Sequence, residues 1–116
     1  FIDLAFEDGG KWYVVDYKSN HLGDTWADYG PARLDAAMTE HDYILQYHLY
    51  VAALHRWLGW KLPGYRYDTH FGGVRYLFLR GLAPQHAPSL GVFQDRPSEA
   101  LIEALIALGG VQEVTP

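Results

Sequence analysis

A chain of 116 residues is one domain at most, and its 49% hydrophobic and 16% aromatic content excludes a disordered segment. The absence of cysteine excludes disulfides and thiolate metal sites. The net charge of -5 argues against a simple basic nucleic-acid-binding module, though not against an enzyme whose carboxylates hold cations. No apolar run reaches the ~18 residues that a membrane span needs, so no membrane partner is expected.

Phe1 to Glu7 and Lys11 to Lys18 read as two strands joined at Asp8-Gly9-Gly10, a hairpin signal. The chain opens inside a strand-like run, which reads as a piece of something longer. Ser19 to Gly30 reads as a loop, and Pro31 suits the first turn of a helix reaching about Met38. His41 to about Trp60 reads as a longer helix, ended by Gly59 and Pro63. Lys61 to His70 is irregular and rich in tyrosine. Gly72-Gly73 introduces Val74 to Leu79, a buried-strand run. Ala83 to Pro97 reads as a loop with three prolines, and Ser98 to Leu108 as a short helix stopped by Gly109-Gly110. The layout is ββααβα, an α/β sheet with helices packed on it.

The hairpin has a consequence for its charges. A turn at Gly9-Gly10 sets Phe6 opposite Tyr13, Leu4 opposite Val15 and Ile2 opposite Tyr17, an apolar side. On the other side Ala5 faces Val14 and Asp3 faces Asp16, with Cβ atoms about 5 Å apart. Lys18 points the same way as Asp16, about 7 Å along. A turn at Asp8-Gly9 would make Asp3 a diagonal neighbour of Asp16 without changing the sides.

Opposed like charges are destabilising unless one carboxylate holds a proton, a basic residue bridges them, or a divalent cation binds both. Oxygen-only ligation suits Mg2+ or Mn2+ rather than zinc. One reading is therefore that Asp3 and Asp16 hold a metal whose water attacks a phosphodiester, with Lys18 steadying the developing charge. The bland reading is two solvated aspartates and a solvated lysine on the wet side of a hairpin.

Four blocks in order are familiar: Phe1-Ile2-Asp3-Leu4; Asp16-Tyr17-Lys18-Ser19-Asn20; Tyr43 to Tyr50, which includes Gln46-Tyr47; and His70-Phe71-Gly72-Gly73-Val74 with Tyr76 to Gly81. Together they resemble the RecB-like nuclease domain of the PD-(D/E)XK nuclease superfamily. The resemblance implies a mixed sheet with flanking helices, here lacking the family's N-terminal helix. It implies Asp3 and Asp16 as metal-binding carboxylates, the Tyr17 carbonyl as a further ligand and Lys18 as the catalytic lysine. Gln46 and Tyr47 would orient the water, the lysine or the DNA backbone. The implied cofactor is Mg2+, with Mn2+ or Ca2+ able to replace it in binding. The implied partners are DNA, the helicase part of the same chain, RecC- and RecD-like subunits and a RecA-like recombinase, in the bacterial cytoplasm. The family carries another metal ligand on a helix before the hairpin, so the chain alone is expected to bind metal weakly and to cut DNA poorly.

Other residues carry lesser expectations. Tyr43, Gln46 and Tyr50 share one helix stripe, which by spacing alone reads as an aromatic seam packed on the sheet with a buried glutamine bonded to backbone; the resemblance implies instead that Gln46 faces the active site. His41, His48 and His55 recur every seven residues, too far apart for a common ion, and read as a solvated or partner-facing stripe. Arg75 and Lys11 read as strand-edge residues, Arg80 as a DNA or core-pairing candidate, and Trp26 as a candidate contact for single-stranded DNA. An open hairpin edge could pair with a second copy of the chain. The alternative function is a non-catalytic docking module for a recombinase or sister subunits.

Overall fold

The computed structural model describes residues 5–82 and 90–109. Four strands form one sheet in the order β1 (Ala5–Asp8), β2 (Lys11–Lys18), β3 (Phe71–Phe78) and β4 (Val92–Asp95). β1 and β2 are the expected antiparallel hairpin, with Ala5 opposite Val14 and Phe6 opposite Tyr13, so the turn is Gly9-Gly10. Both glycines have positive φ (61° and 85°), which a two-residue hairpin turn of this hand requires. β2 and β3 run parallel, and β4 returns antiparallel along β3.

A parallel neighbour needs a long crossover. Here it is built from α1 (Pro31–Glu40), α2 (Tyr43–Lys61) and the single turn α3 (Tyr67–His70). Pro31 at the first position of α1 fits its missing N–H. α1 runs two residues past the expected end, and His41 closes it rather than opening α2. Asp42 takes a left-handed conformation (φ 58°) and breaks the two helices apart, a conformation in which aspartate is enriched. α4 (Glu99–Ala107) is capped by Ser98, whose hydroxyl accepts the Leu101 N–H at 3.2 Å.

Two local expectations are corrected. Residues 92–95, read as part of a proline-rich loop, form β4. Val92-Phe93-Gln94-Asp95 lies between the prolines and completes the ladder along β3. Arg75 is consequently no strand-edge residue, since β3 is paired on both sides.

The core lies between the sheet and α1, α2 and α4. Val14, Val74, Tyr76 and Phe78 come from the sheet, and Leu34, Met38, Val51, Leu54, Leu58 and Ile102 from the helices. Val14, Asp16 and Lys18 stand opposite Val74, Tyr76 and Phe78 in the parallel ladder. The acidic–basic side of the hairpin is thus the side that the helices cover. Phe6 and Tyr17, on the side expected to be the apolar one, are 47% and 54% exposed. The reason is the crossover: α2 must return over one side of the sheet, and the small residues Ala5 and Val14 admit it.

Candidate active site

Period-two alternation in β2 sends the side chains of Asp16 and Lys18 to the same side. The N-terminal turns of α2 cross over them. The Lys18 ammonium lies 2.8 Å from Asp16 Oδ2, with the two side chains only 16% and 14% exposed. It also lies 4.1 Å from the centre of the Tyr43 ring, donates to Gln46 Oε1 at 3.5 Å, and is 5.4 Å from the Tyr76 ring centre. The lysine is held by one carboxylate, one amide oxygen and two aromatic rings, a cation cage rather than a solvated tip.

The cage is itself supported. The Tyr76 hydroxyl donates to Gln46 Oε1 at 2.6 Å. Burial pushes the Tyr76 phenol well above its ordinary value, with the neighbouring Asp16 adding to the effect, so Tyr76 remains a neutral donor. Asn20 and the Tyr43 hydroxyl exchange hydrogen bonds at 3.3 and 3.4 Å. Arg80 Nε donates to the Ser19 carbonyl at 2.7 Å, fixing the backbone that follows Lys18.

The residues singled out in the sequence are distributed as follows. Asp16, Lys18 and Gln46 come together. Tyr17 has its backbone in the ladder opposite Leu77, and its N–H donates to Asp16 Oδ1 at 2.8 Å. Asp3 lies outside the described residues. Tyr47 is buried and points elsewhere: its hydroxyl donates to Asp95 Oδ2 at 2.5 Å, and its ring meets Tyr76 and Phe93. Adjacent helical residues face about 100° apart, so Gln46 and Tyr47 cannot both face Lys18. Tyr47 backs the cage through Tyr76.

The histidine stripe is corrected in part. His55 is not solvated: its side chain is 11% exposed, with Nδ1 2.6 Å from the Tyr65 hydroxyl and Nε2 3.1 Å from Glu103 of α4. The ligand atoms of His55, Glu99 and Glu103 lie within 4.8 Å of one another. His48 Nδ1 is 2.7 Å from the Ile44 carbonyl, and its ring stacks on Tyr47. Sequence reasoning missed Asp95, because β4 was not foreseen, and Tyr76 as the partner of Gln46. The tyrosine–glutamine pair could have been sought as a helix glutamine with no polar neighbour on its own helix.

Among the described residues, the Asp16 carboxylate is the oxygen donor that a hard dication beside Lys18 would use. An ionised carboxylate offers about four lone-pair sites, and among the described residues two contacts occupy the Asp16 oxygens. No thiol competes. Mg2+ is usually held by one or two carboxylates with water and substrate phosphate completing the shell.

No family model matches the chain. Curated relatives do. The chain is 49% identical over 102 residues to the RecBCD enzyme subunit RecB of Escherichia coli, a match covering 88% of the chain and 9% of that protein. It is 52% identical over 104 residues to RecB of Haemophilus influenzae, covering 90% of the chain and 8% of that protein. With RecB of Mycobacterium tuberculosis it shares 50% over 102 residues, covering 84% and 9%. The chain spans about a tenth of the length of these relatives. The α/β sheet, the Asp16–Lys18 pair under α2 and the continuous match along most of the chain converge: this chain is homologous to one segment of the RecB subunit of RecBCD enzymes.

Proposed function

We propose that the chain is the nuclease portion of a RecB-type helicase–nuclease subunit that hydrolyses phosphodiester bonds of DNA during double-strand-break repair and recombination, with the chain by itself cutting poorly or not at all. The carrying observation is the Lys18 ammonium, fixed 2.8 Å from Asp16 and shared with Gln46 beneath α2. In this reading the fold is of the PD-(D/E)XK type, Asp3 and Asp16 supply carboxylates, and the Tyr17 carbonyl completes the protein's ligands. When bound there, Mg2+ or Mn2+ would acidify water and neutralise phosphate charge. Lys18 presents a fixed positive charge where negative charge develops on the phosphoryl oxygens, and its cage removes the cost of ordering a flexible stem at that moment. Gln46 and Tyr76 hold the ammonium in register, and Tyr47 holds Tyr76. DNA and RecC- and RecD-like subunits are the partners this reading entails.

The test is cleavage of linear DNA with Mg2+ or Mn2+, together with calorimetric titration of the same ions. Lys18→Ala and Asp16→Asn are each expected to slow cleavage by about 100-fold or more, and Asp16→Asn to abolish metal binding. Unchanged cleavage and binding in both variants would refute the proposal.

One observation favours a second reading, a docking module without catalysis: Asp16 is already neutralised by Lys18 within the protein. In that case no dication binds and Asp16→Ala raises stability rather than lowering it.

A further inference from the structure

His55 sits about 13 Å further along α2 than Gln46 and takes no part in the Lys18 cage. Across from it, α4 carries Glu99 and Glu103, one helical turn apart and so on one face of that helix. Like charges at this spacing repel, yet both carboxylates converge on the imidazole. A ring nitrogen of His55 and one oxygen from each glutamate lie within 4.8 Å of one another. His55 Nε2 is 3.1 Å from Glu103 Oε2.

The histidine is pre-positioned. Its side chain is 11% exposed, and the Tyr67 ring meets it edge-on with centroids 5.2 Å apart, so it cannot swing out to water. Its other nitrogen, Nδ1, lies 2.6 Å from the Tyr65 hydroxyl. With a metal on Nε2, Nδ1 carries the proton and donates it to the Tyr65 oxygen. Such an outer partner fixes the tautomer and ring orientation of a ligating histidine. Burial first, then Tyr67 and the carboxylates of Glu99 and Glu103, push the Tyr65 phenol above its ordinary value, so it remains a neutral partner. Both glutamates are exposed, and their stems are free to close on an ion. A tetrahedral Zn2+ with bonds of about 2.0–2.1 Å needs donors about 3.4 Å apart, a closure that rotation of the glutamate side chains supplies.

We propose that His55, Glu99 and Glu103 form a metal site of their own, which takes Zn2+ through one imidazole nitrogen and two carboxylate oxygens, with water in the remaining position. The donor set differs from that around Asp16: imidazole suits Zn2+, whereas Mg2+ prefers oxygen ligands alone. The ion would tie α4 to α2. Ile102 is the buried residue of α4, so the helix has little else to anchor it, and metal binding becomes stability of this junction. The site stands whether or not the chain cuts DNA.

The test is calorimetric titration of the tag-free chain with Zn2+ in excess Mg2+, paired with urea midpoints measured with and without Zn2+. About one Zn2+ per chain is expected, with a midpoint that rises as Zn2+ is added. His55→Gln and Glu103→Gln should each remove this binding and leave the midpoint indifferent to Zn2+. The Glu103 side chain is 57% exposed, so its variant separates a lost ligand from a damaged core. Tyr65→Phe should weaken binding by about 10- to 100-fold, while Asp16→Asn should bind Zn2+ like the unsubstituted chain. Absence of Zn2+ binding by the unsubstituted chain would overturn the proposal and leave His55 and Glu103 as a plain ion pair between two helices. Equal affinity of His55→Gln, Glu103→Gln and the unsubstituted chain would overturn it too, since the ion would then sit on other histidines. Loss of Zn2+ in Asp16→Asn with retention in the other two variants would move the ion to the Lys18 cage and overturn it as well.

Discussion

The Tyr76 hydroxyl, in the middle of a fully paired strand, donates across 2.6 Å to the amide oxygen of Gln46 on α2. Tyr76 has no exposed surface, so its hydroxyl cannot exchange this partner for water. Gln46→Leu is therefore expected to destabilise the fold by about 1–3 kcal/mol, the cost of leaving a buried donor unsatisfied. Tyr76→Phe should cost less, about 1 kcal/mol, because Gln46 still receives Lys18. The double variant should cost less than the sum of the two, and urea midpoints of the four proteins measure the difference. Strict additivity would show that the hydrogen bond contributes nothing to holding α2 on β3.

Four tyrosines share a second property. Burial is the first cause that pushes the phenols of Tyr47, Tyr65, Tyr67 and Tyr76 above their ordinary value of 10.0, and for Tyr47 the hydrogen bond to Asp95 adds to it. The unfolded chain therefore loses these protons first. The stability they contribute is fully present below about pH 10 and is lost as the pH rises through that value toward the higher folded values. The expected outcome is a level urea midpoint from neutral pH to about pH 9, then a steep fall accompanied by phenolate absorbance. Gradual phenolate formation in the folded protein before the midpoint moves would show that these hydroxyls are accessible.

The distance between sequence and structure differs from element to element. Gly9-Gly10 fixed the hairpin register, because only that turn sets Phe6 against Tyr13, and period-two alternation then put Asp16 and Lys18 together. Ala5 and Val14 made partial cover of the Asp16 side legible, but not that the helices would take that side and leave Phe6 and Tyr17 exposed. Both sides carry apolar residues, and the choice is made by a crossover that begins well beyond the hairpin. β4 was hidden by its length of four residues among prolines, a span in which local propensity says little and pairing with β3 decides. His55 looked like one of a solvated series because its partner, Glu103, lies 48 residues away. The stripe of Gln46 by itself read as a packing seam, and only the resemblance turned it toward Lys18; the partner of Tyr47, Asp95, was not legible, since it belongs to the unforeseen strand.

The pair Gly72-Gly73 offers the sharpest test of how the site is kept in register. Trp12 pairs with Phe71 but Tyr13 pairs with Gly73, so Gly72 is the extra residue of a bulge in β3. Gly73 adopts φ +134°, and a Cβ there would lie 3.0 Å from Arg75 Nη1 and 3.1 Å from the Asp95 carbonyl oxygen. The conformation is unfavourable for any other residue, and the carbonyl belongs to the β3–β4 ladder and cannot step aside. At Gly72 the obstacle is the Tyr13 ring, 2.4 Å from an added Cβ, but a ring at the end of a side chain can turn away. Gly73→Ala is thus expected to cost about 1–3 kcal/mol and Gly72→Ala distinctly less, as read from urea midpoints. The consequence reaches the site, because a one-residue slip of β2 against β3 would turn Asp16 and Lys18 away from Gln46. In Gly73→Ala the amide protons of β2 should exchange faster than those of α2, and equal protection in both elements would show that the bulge does not set the register on which the Lys18 cage depends.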